Sequence, residues 1–192
     1  MFYFILAFIS GQLVKWVDNI EDDTKGKKIE KWPMAIFYGI VIGYLISKAS
    51  FSMLFFGALT AQILANKIDK PAHVIGVIAS LFVLLFFGFP EMNLTFFLMF
   101  LVFAYLDEQT FKTKSKVLNR ILKFFTDYRL FLKLIALALI ALGRWDFFIA
   151  VILFDVGYVV MDTILHGTKY IEQGISNKNT KYKITRKNKK LN

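Results

Sequence analysis

Asp155, Tyr158, Asp162 and His166 are offset by 3, 7 and 11 residues, so on a helix they share one face. The first three lie inside an apolar run from 147 to 165, with His166 just past it. At 1.5 Å per residue Asp155 falls about 12–14 Å from either end of that run. An ionisable side chain near mid-bilayer is costly and marks a functional site by default. As a carboxylate it could relay protons or activate a nucleophile. Protonated, it could instead hold an interhelical hydrogen bond to a Ser, Thr, Gln or Tyr. Either way this face must look into a bundle or a wet cavity. Gly157, beside it, permits a close helix approach.

Further carboxylates gather at the ends of other apolar runs. Asp18, Glu21, Asp22 and Asp23 follow the first run directly. Asp18 and Asp22, four apart, would present both carboxylates on one helical face. Such a pair suits Mg²⁺, a hard cation that takes oxygen ligands, and Mg²⁺ could bridge to a diphosphate. The alternative is a solvated acidic loop neutralised by Lys25, Lys27, Lys28 and Lys31. Asp69 and His73 flank Pro71 at the start of another run. Pro71 fits a first helical turn, and Asp69 before it could cap that turn and meet the positive end of its dipole. His73, one of two His, could ligate metal, act as a base, or bond a backbone carbonyl. Asp107 and Glu108 end a run where the helix dipole is already negative, so they need a counter-charge from Lys or a bound cation. Ser10, Gly11, Gln12, Thr60, Gln62 and Asn66 are further polar or small candidates for the same interior.

The segment Asp18-Asn19-Ile20-Glu21-Asp22 resembles the aspartate-rich first motif of UbiA-type prenyltransferases. Those enzymes hold Mg²⁺ and a prenyl diphosphate between transmembrane helices. The second aspartate-rich motif of that family, with its basic partner, has no counterpart around Asp69. The Asp-x-x-Asp-Gly-x-x-Ala-Arg signature of CDP-alcohol phosphotransferases is absent as well. The resemblance covers a few residues and assigns no family. No Ser-His-Asp arrangement, P-loop, GxGxxG or HExxH motif occurs. With no Cys, disulfides, thiolate metal sites and cysteine nucleophiles are excluded.

The elements that must position these residues follow from hydropathy and charge. Apolar residues make up 57% of the 192-residue chain, above the roughly 45–50% of soluble domains. They concentrate in seven runs, 1–17, 33–47, 50–66, 72–89, 94–106, 129–143 and 147–165. The spacing predicts an all-α, polytopic membrane bundle of about seven transmembrane helices occupying residues 1–175. Several runs are shorter than the roughly 20 residues a span needs, so snorkelling Lys and Arg or local thinning must serve them. Met1–Val17 lacks a basic region before the apolar stretch and a small-residue cleavage site after it, so it reads as a retained span. With the amino terminus outside, the inside segments 18–32, 67–71, 107–128 and 166–192 hold 19 of the 24 Lys and Arg. Lys15, Arg129 and Lys133 lie at the inner ends of spans; Lys48 and Arg144 alone lie outside. This is the asymmetry of the positive-inside rule, and the carboxyl terminus is then cytoplasmic.

Residues 117–126 carry a helical apolar stripe edged by Lys and Arg. They suit either an interfacial amphipathic helix or a linker packed on the bundle. The tail 176–192, rich in Lys and Asn, has little to bury and is expected to be disordered or held to anionic lipid. The net charge of +10 sits in juxtamembrane loops and tail, so anionic headgroups are the expected partner, with no specific nucleic acid. A membrane-protein partner or a homo-oligomer is also compatible.

These features lead to an expectation of a multi-pass cell-membrane enzyme, a transferase acting on a phosphorylated lipid or prenyl diphosphate. Asp18, Asp22, Asp107 and Glu108 would bind Mg²⁺ at the cytoplasmic face. Asp155, Asp162 or His73 would activate a nucleophile, and Tyr158, Asp69, His166 and Lys67 would contact substrate. The inner carboxylates should converge on one pocket with Asp155 as its floor. Two alternatives stay open. One is a cation or proton transporter or channel with Asp155 as relay; the other is a non-catalytic assembly subunit.

Overall fold

A computed structural model describes residues 1–22, 29–111 and 114–188, with side chains described as far as Gly167 in the last helix. Asp23, Lys25, Lys27, Lys28 and Lys112 lie outside the described residues. The fold is all-α, with eight helices and no strand among the described residues. They are α1 (Phe2–Asp22), α2 (Lys31–Lys48), α3 (Ser52–Leu64), α4 (Pro71–Phe87), α5 (Leu94–Asp107), α6 (Lys116–Asp127), α7 (Leu130–Ala138) and α8 (Trp145–Asn188). A 3-10 turn, Leu139–Leu142, extends α7. The tail expected from Ser176 enters α8 as helical backbone as far as Asn188.

Helix boundaries follow local chemistry. Asn93 Oδ1 accepts the Phe96 N–H at 3.2 Å and caps α5, and Ser115 Oγ accepts the Leu118 N–H at 3.4 Å at the start of α6. Side-chain oxygens suit both places because the first-turn amides lack helical partners. Pro71 opens α4, where its missing N–H costs nothing. Gly88 and Gly143 close α4 and the 3-10 turn at φ +88° and +75°, a region glycine enters without strain.

Three pairs, α1 with α8, α2 with α4 and α3 with α5, make the most extensive contacts, and α2 also packs on α1. Glycines set the spacing. A Cβ at Gly11 would lie 2.0 Å from the Phe154 carbonyl oxygen, and one at Gly157 would lie 2.1 Å from that of Phe8. Backbone meets backbone there, which small residues alone permit. Gly39 and Gly43 bring α2 equally close to Gly76 and Ser80 of α4. Phe51, Phe100 and Phe147 are the largest fully buried side chains, and the Phe100 and Phe147 rings pack with centroids 4.7 Å apart.

The outward surface is apolar. On α4, Phe82, Leu85 and Phe86 are 68, 72 and 83% exposed. On α5, Leu94, Leu98, Val102 and Tyr105 form an outward stripe. By length and composition, α8 over Trp145–Gly167 can cross a membrane. The apolar helices Ser52–Leu64, Pro71–Phe87, Leu94–Asp107 and Leu130–Leu142 are shorter.

The bundle has two distinct ends. One holds the carboxyl termini of α1, α3 and α5 with the amino termini of α4 and α7. At the other, Ser47 Oγ donates to the Gly88 carbonyl at 2.7 Å and Lys48 Nζ to that of Phe87 at 2.9 Å. Arg144 adds a bond to the Ser50 carbonyl at 2.9 Å and a two-pronged pair with Asp146, each contact at 3.0 Å.

Candidate functional site

At the first end the helix termini enclose a cavity of about 190 Å³. Four residues singled out for chemistry line it: Asp18, His73 and Asp155 from three helices, and Glu108 from just past α5. Lys67, from the α3–α4 connection, lines it too, as do Tyr38, Gln62 and Arg129. The remaining wall is apolar, with Ile42, Leu54, Phe55 and Leu59 among its residues. The cavity is thus two-sided in character, charged at the helix ends and hydrocarbon deeper in.

Its most organised part is a hydrogen-bonded chain. His73 Nε2 lies 2.9 Å from Asp18 Oδ1, and the Tyr158 hydroxyl donates to Asp18 Oδ2 at 2.9 Å. The Tyr38 hydroxyl stands 3.3 Å from His73 Nδ1 and also donates to the His73 carbonyl at 3.2 Å. Asp18 thus takes a hydrogen bond on each oxygen, and it fixes the imidazole as an orienting carboxylate does in a catalytic dyad. With Nε2–H on Asp18, Nδ1 carries the lone pair. That nitrogen can accept a hydrogen bond from a hydroxyl bound in the cavity.

Arg129 is the cation opposite. Its guanidinium pairs with Glu108 at 3.6 Å, and its backbone is left-handed at φ +50°. A long side chain in that region costs of order 1 kcal/mol or more, and such outliers cluster at functional sites. Asn66, at φ +53°, turns the chain just before Lys67 in the same way. Both cavity cations are thus delivered by left-handed turns. At the deeper wall, Lys133 Nζ meets Asp155 Oδ2 at 2.5 Å and donates to the Tyr128 carbonyl at 2.6 Å.

Other residues expected at the site have different partners. Asp22 pairs with Lys70. Asp162 bridges Lys15 at 2.8 Å and His166 at 3.1 Å, outside the cavity. Tyr158 acts through Asp18 and its ring lies under Lys15 Nζ. Asp69 is exposed, and the α4 cap foreseen for it comes from Glu21, which accepts the Ala72 N–H at 3.1 Å.

Asp107 resolves the conflict of an acid at a helix carboxyl terminus. Its two oxygens accept the Phe131 and Leu132 N–H groups at 3.0 and 2.8 Å. The counter-charge is the positive end of α7, capped from another helix. Among the described residues no three His, Asp or Glu are grouped as a metal site. Ser10 and Thr60 bond carbonyls of their own helices.

Sequence reasoning passed over Arg129, Tyr38 and Lys133 as site residues. Arg129 and Lys133 counted only as inner-side charges. Tyr38 carried no signal, being one tyrosine in an apolar run. Compared with family models, curated proteins and solved structures, the chain matches none.

Proposed function

We propose that the chain is a polytopic membrane enzyme whose cavity takes the headgroup of a phosphorylated lipid or prenyl diphosphate. The outward apolar faces of α4 and α5 support the bilayer placement, because in water they would be large exposed hydrophobic patches. In this reading α1 to α5, α7 with its 3-10 turn, and α8 are the seven spans. The charged end of the bundle is then cytoplasmic, in line with the Lys and Arg asymmetry. The 13 residues of α3 rise only about 20 Å, so the bilayer thins there or adjacent Lys snorkel.

The observation that carries the activity is the cavity itself. It sets an Asp18-oriented His73 and two cations, Lys67 and Arg129, against a hydrocarbon wall. An amphiphile with an anionic head matches both halves. Arg129 and Lys67 receive phosphate oxygens, and the tail lies along Leu54, Phe55 and Leu59. As an acceptor's hydroxyl oxygen bonds to the prenyl carbon, the carbon–oxygen bond to the diphosphate breaks and the diphosphate leaves onto Arg129 and Lys67. His73 Nδ1 takes the hydroxyl proton, and Asp18 stabilises the imidazolium that results. Among the described residues no three carboxylate or imidazole groups are placed to share one ion, so a Mg²⁺ ion arriving with a diphosphate would take mainly phosphate and water oxygens.

The test is the unfolding temperature of the detergent-solubilised protein with pyrophosphate or a prenyl diphosphate, each with and without Mg²⁺. Either ligand should stabilise the wild type, and Arg129→Gln should weaken that binding about tenfold or more. No shift with any ligand, in either condition, overturns the reading.

One observation favours a second reading. Lys133 and Asp155 pair inside the apolar segments of α7 and α8, as in an intramembrane proton or cation path. Proteoliposome flux abolished by Asp155→Asn would select it over the enzyme.

A further inference from the structure

We infer that α6 is an interfacial helix seated on an anionic bilayer surface. None of its 12 residues is buried. Val117, Ile121 and Phe124 are 69, 49 and 54% exposed. At about 100° per residue they fall within a sector of about 60°. Tyr128, just past the helix, is 59% exposed and packs tilted on Phe124 with ring centroids 4.8 Å apart. The bundle holds the helix by a neighbouring stripe, where Phe125 packs on Phe131 at 5.3 Å. One apolar stripe therefore anchors α6 to the protein, and a second has no partner among the described residues.

Charge selects what covers the second stripe. Lys123, Lys116 and Arg120 lie on one side of it, beginning about 40° from its edge, with Asp127 among them. Lys114 precedes the helix and is exposed. An apolar face edged by cations fits a surface that is hydrocarbon below and anionic above, the boundary of a bilayer carrying acidic lipids. A second copy of the chain would bring the same cations against one another. The seat also puts a lipid contact, Tyr128, directly next to Arg129, which lines the cavity. The inference rests on the bilayer placement proposed above and not on the identity of the substrate.

The chain has no Cys, so single labels are clean. Ile121→Cys, Lys123→Cys and Phe86→Cys each receive a polarity-sensitive fluorophore. The full-length proteins are reconstituted into phosphatidylcholine vesicles with and without phosphatidylglycerol. Nitroxide-labelled lipid should quench the Ile121 label at least about twofold more than the Lys123 label, and phosphatidylglycerol should increase the difference. Lys116→Gln with Arg120→Gln should remove that lipid dependence. Equal quenching at 121 and 123, with the Phe86 label still quenched, overturns the seat and leaves the bilayer placement standing. An unquenched Phe86 label overturns both. Shielding of Ile121 in detergent that dilution abolishes assigns the stripe to a second copy and overturns the inference.

Discussion

His73 Nε2 stands 2.9 Å from Asp18 Oδ1, and that contact ties the first turn of α4 to the carboxyl-terminal end of α1. Because Asp18 also accepts from Tyr158, one carboxylate holds three helices together. Asp18→Ala should therefore cost about 1–3 kcal/mol by leaving both partners unsatisfied. Tyr158→Phe should cost about 1 kcal/mol. The double variant should be no less stable than Asp18→Ala alone, since its second bond is already lost. Denaturant unfolding in detergent measures all three, and simple additivity would remove the shared-carboxylate account.

Lys133 and Asp155 should behave as a coupled pair. Lys133→Met leaves a partly buried carboxylate without its cation and should destabilise by about 1–3 kcal/mol, whereas Lys133→Met with Asp155→Leu should recover most of that loss. A double variant as unstable as the single one would show that the pair contributes little.

Gly11→Ala and Gly157→Ala each force α1 away from α8, because the added carbon meets a carbonyl oxygen rather than a movable side chain. Each should lower stability by about 1–3 kcal/mol. Gly167→Ala, where nothing lies within 4 Å, is the control and should be neutral or slightly stabilising. Similar midpoints for all three would mean the helices can separate without cost.

Most helices were legible along the chain because apolar runs and breaker residues are local properties. Pro71 marks a boundary that a one-dimensional reading can find. The common face of Asp155, Tyr158 and Asp162 was equally local, being a matter of helical spacing. Partner choice was not. Asp107 looked like an acid in need of a metal or a lysine, and it proved to cap a helix that starts 23 residues later. Asp69 seemed the cap of α4, and Glu21 from α1 took that place.

By itself, then, the sequence determined the all-α class, the apolar faces and the set of ionisable residues at one end of the helices. Tertiary structure alone decided which of those residues share a cavity. A carboxylate bonds whatever donor lies within about 3 Å, and that neighbour is chosen by how backbones pack at Gly11 and Gly157 and by where left-handed turns deliver Lys67 and Arg129. Such choices depend on three-dimensional distance, which spacing along the chain does not encode.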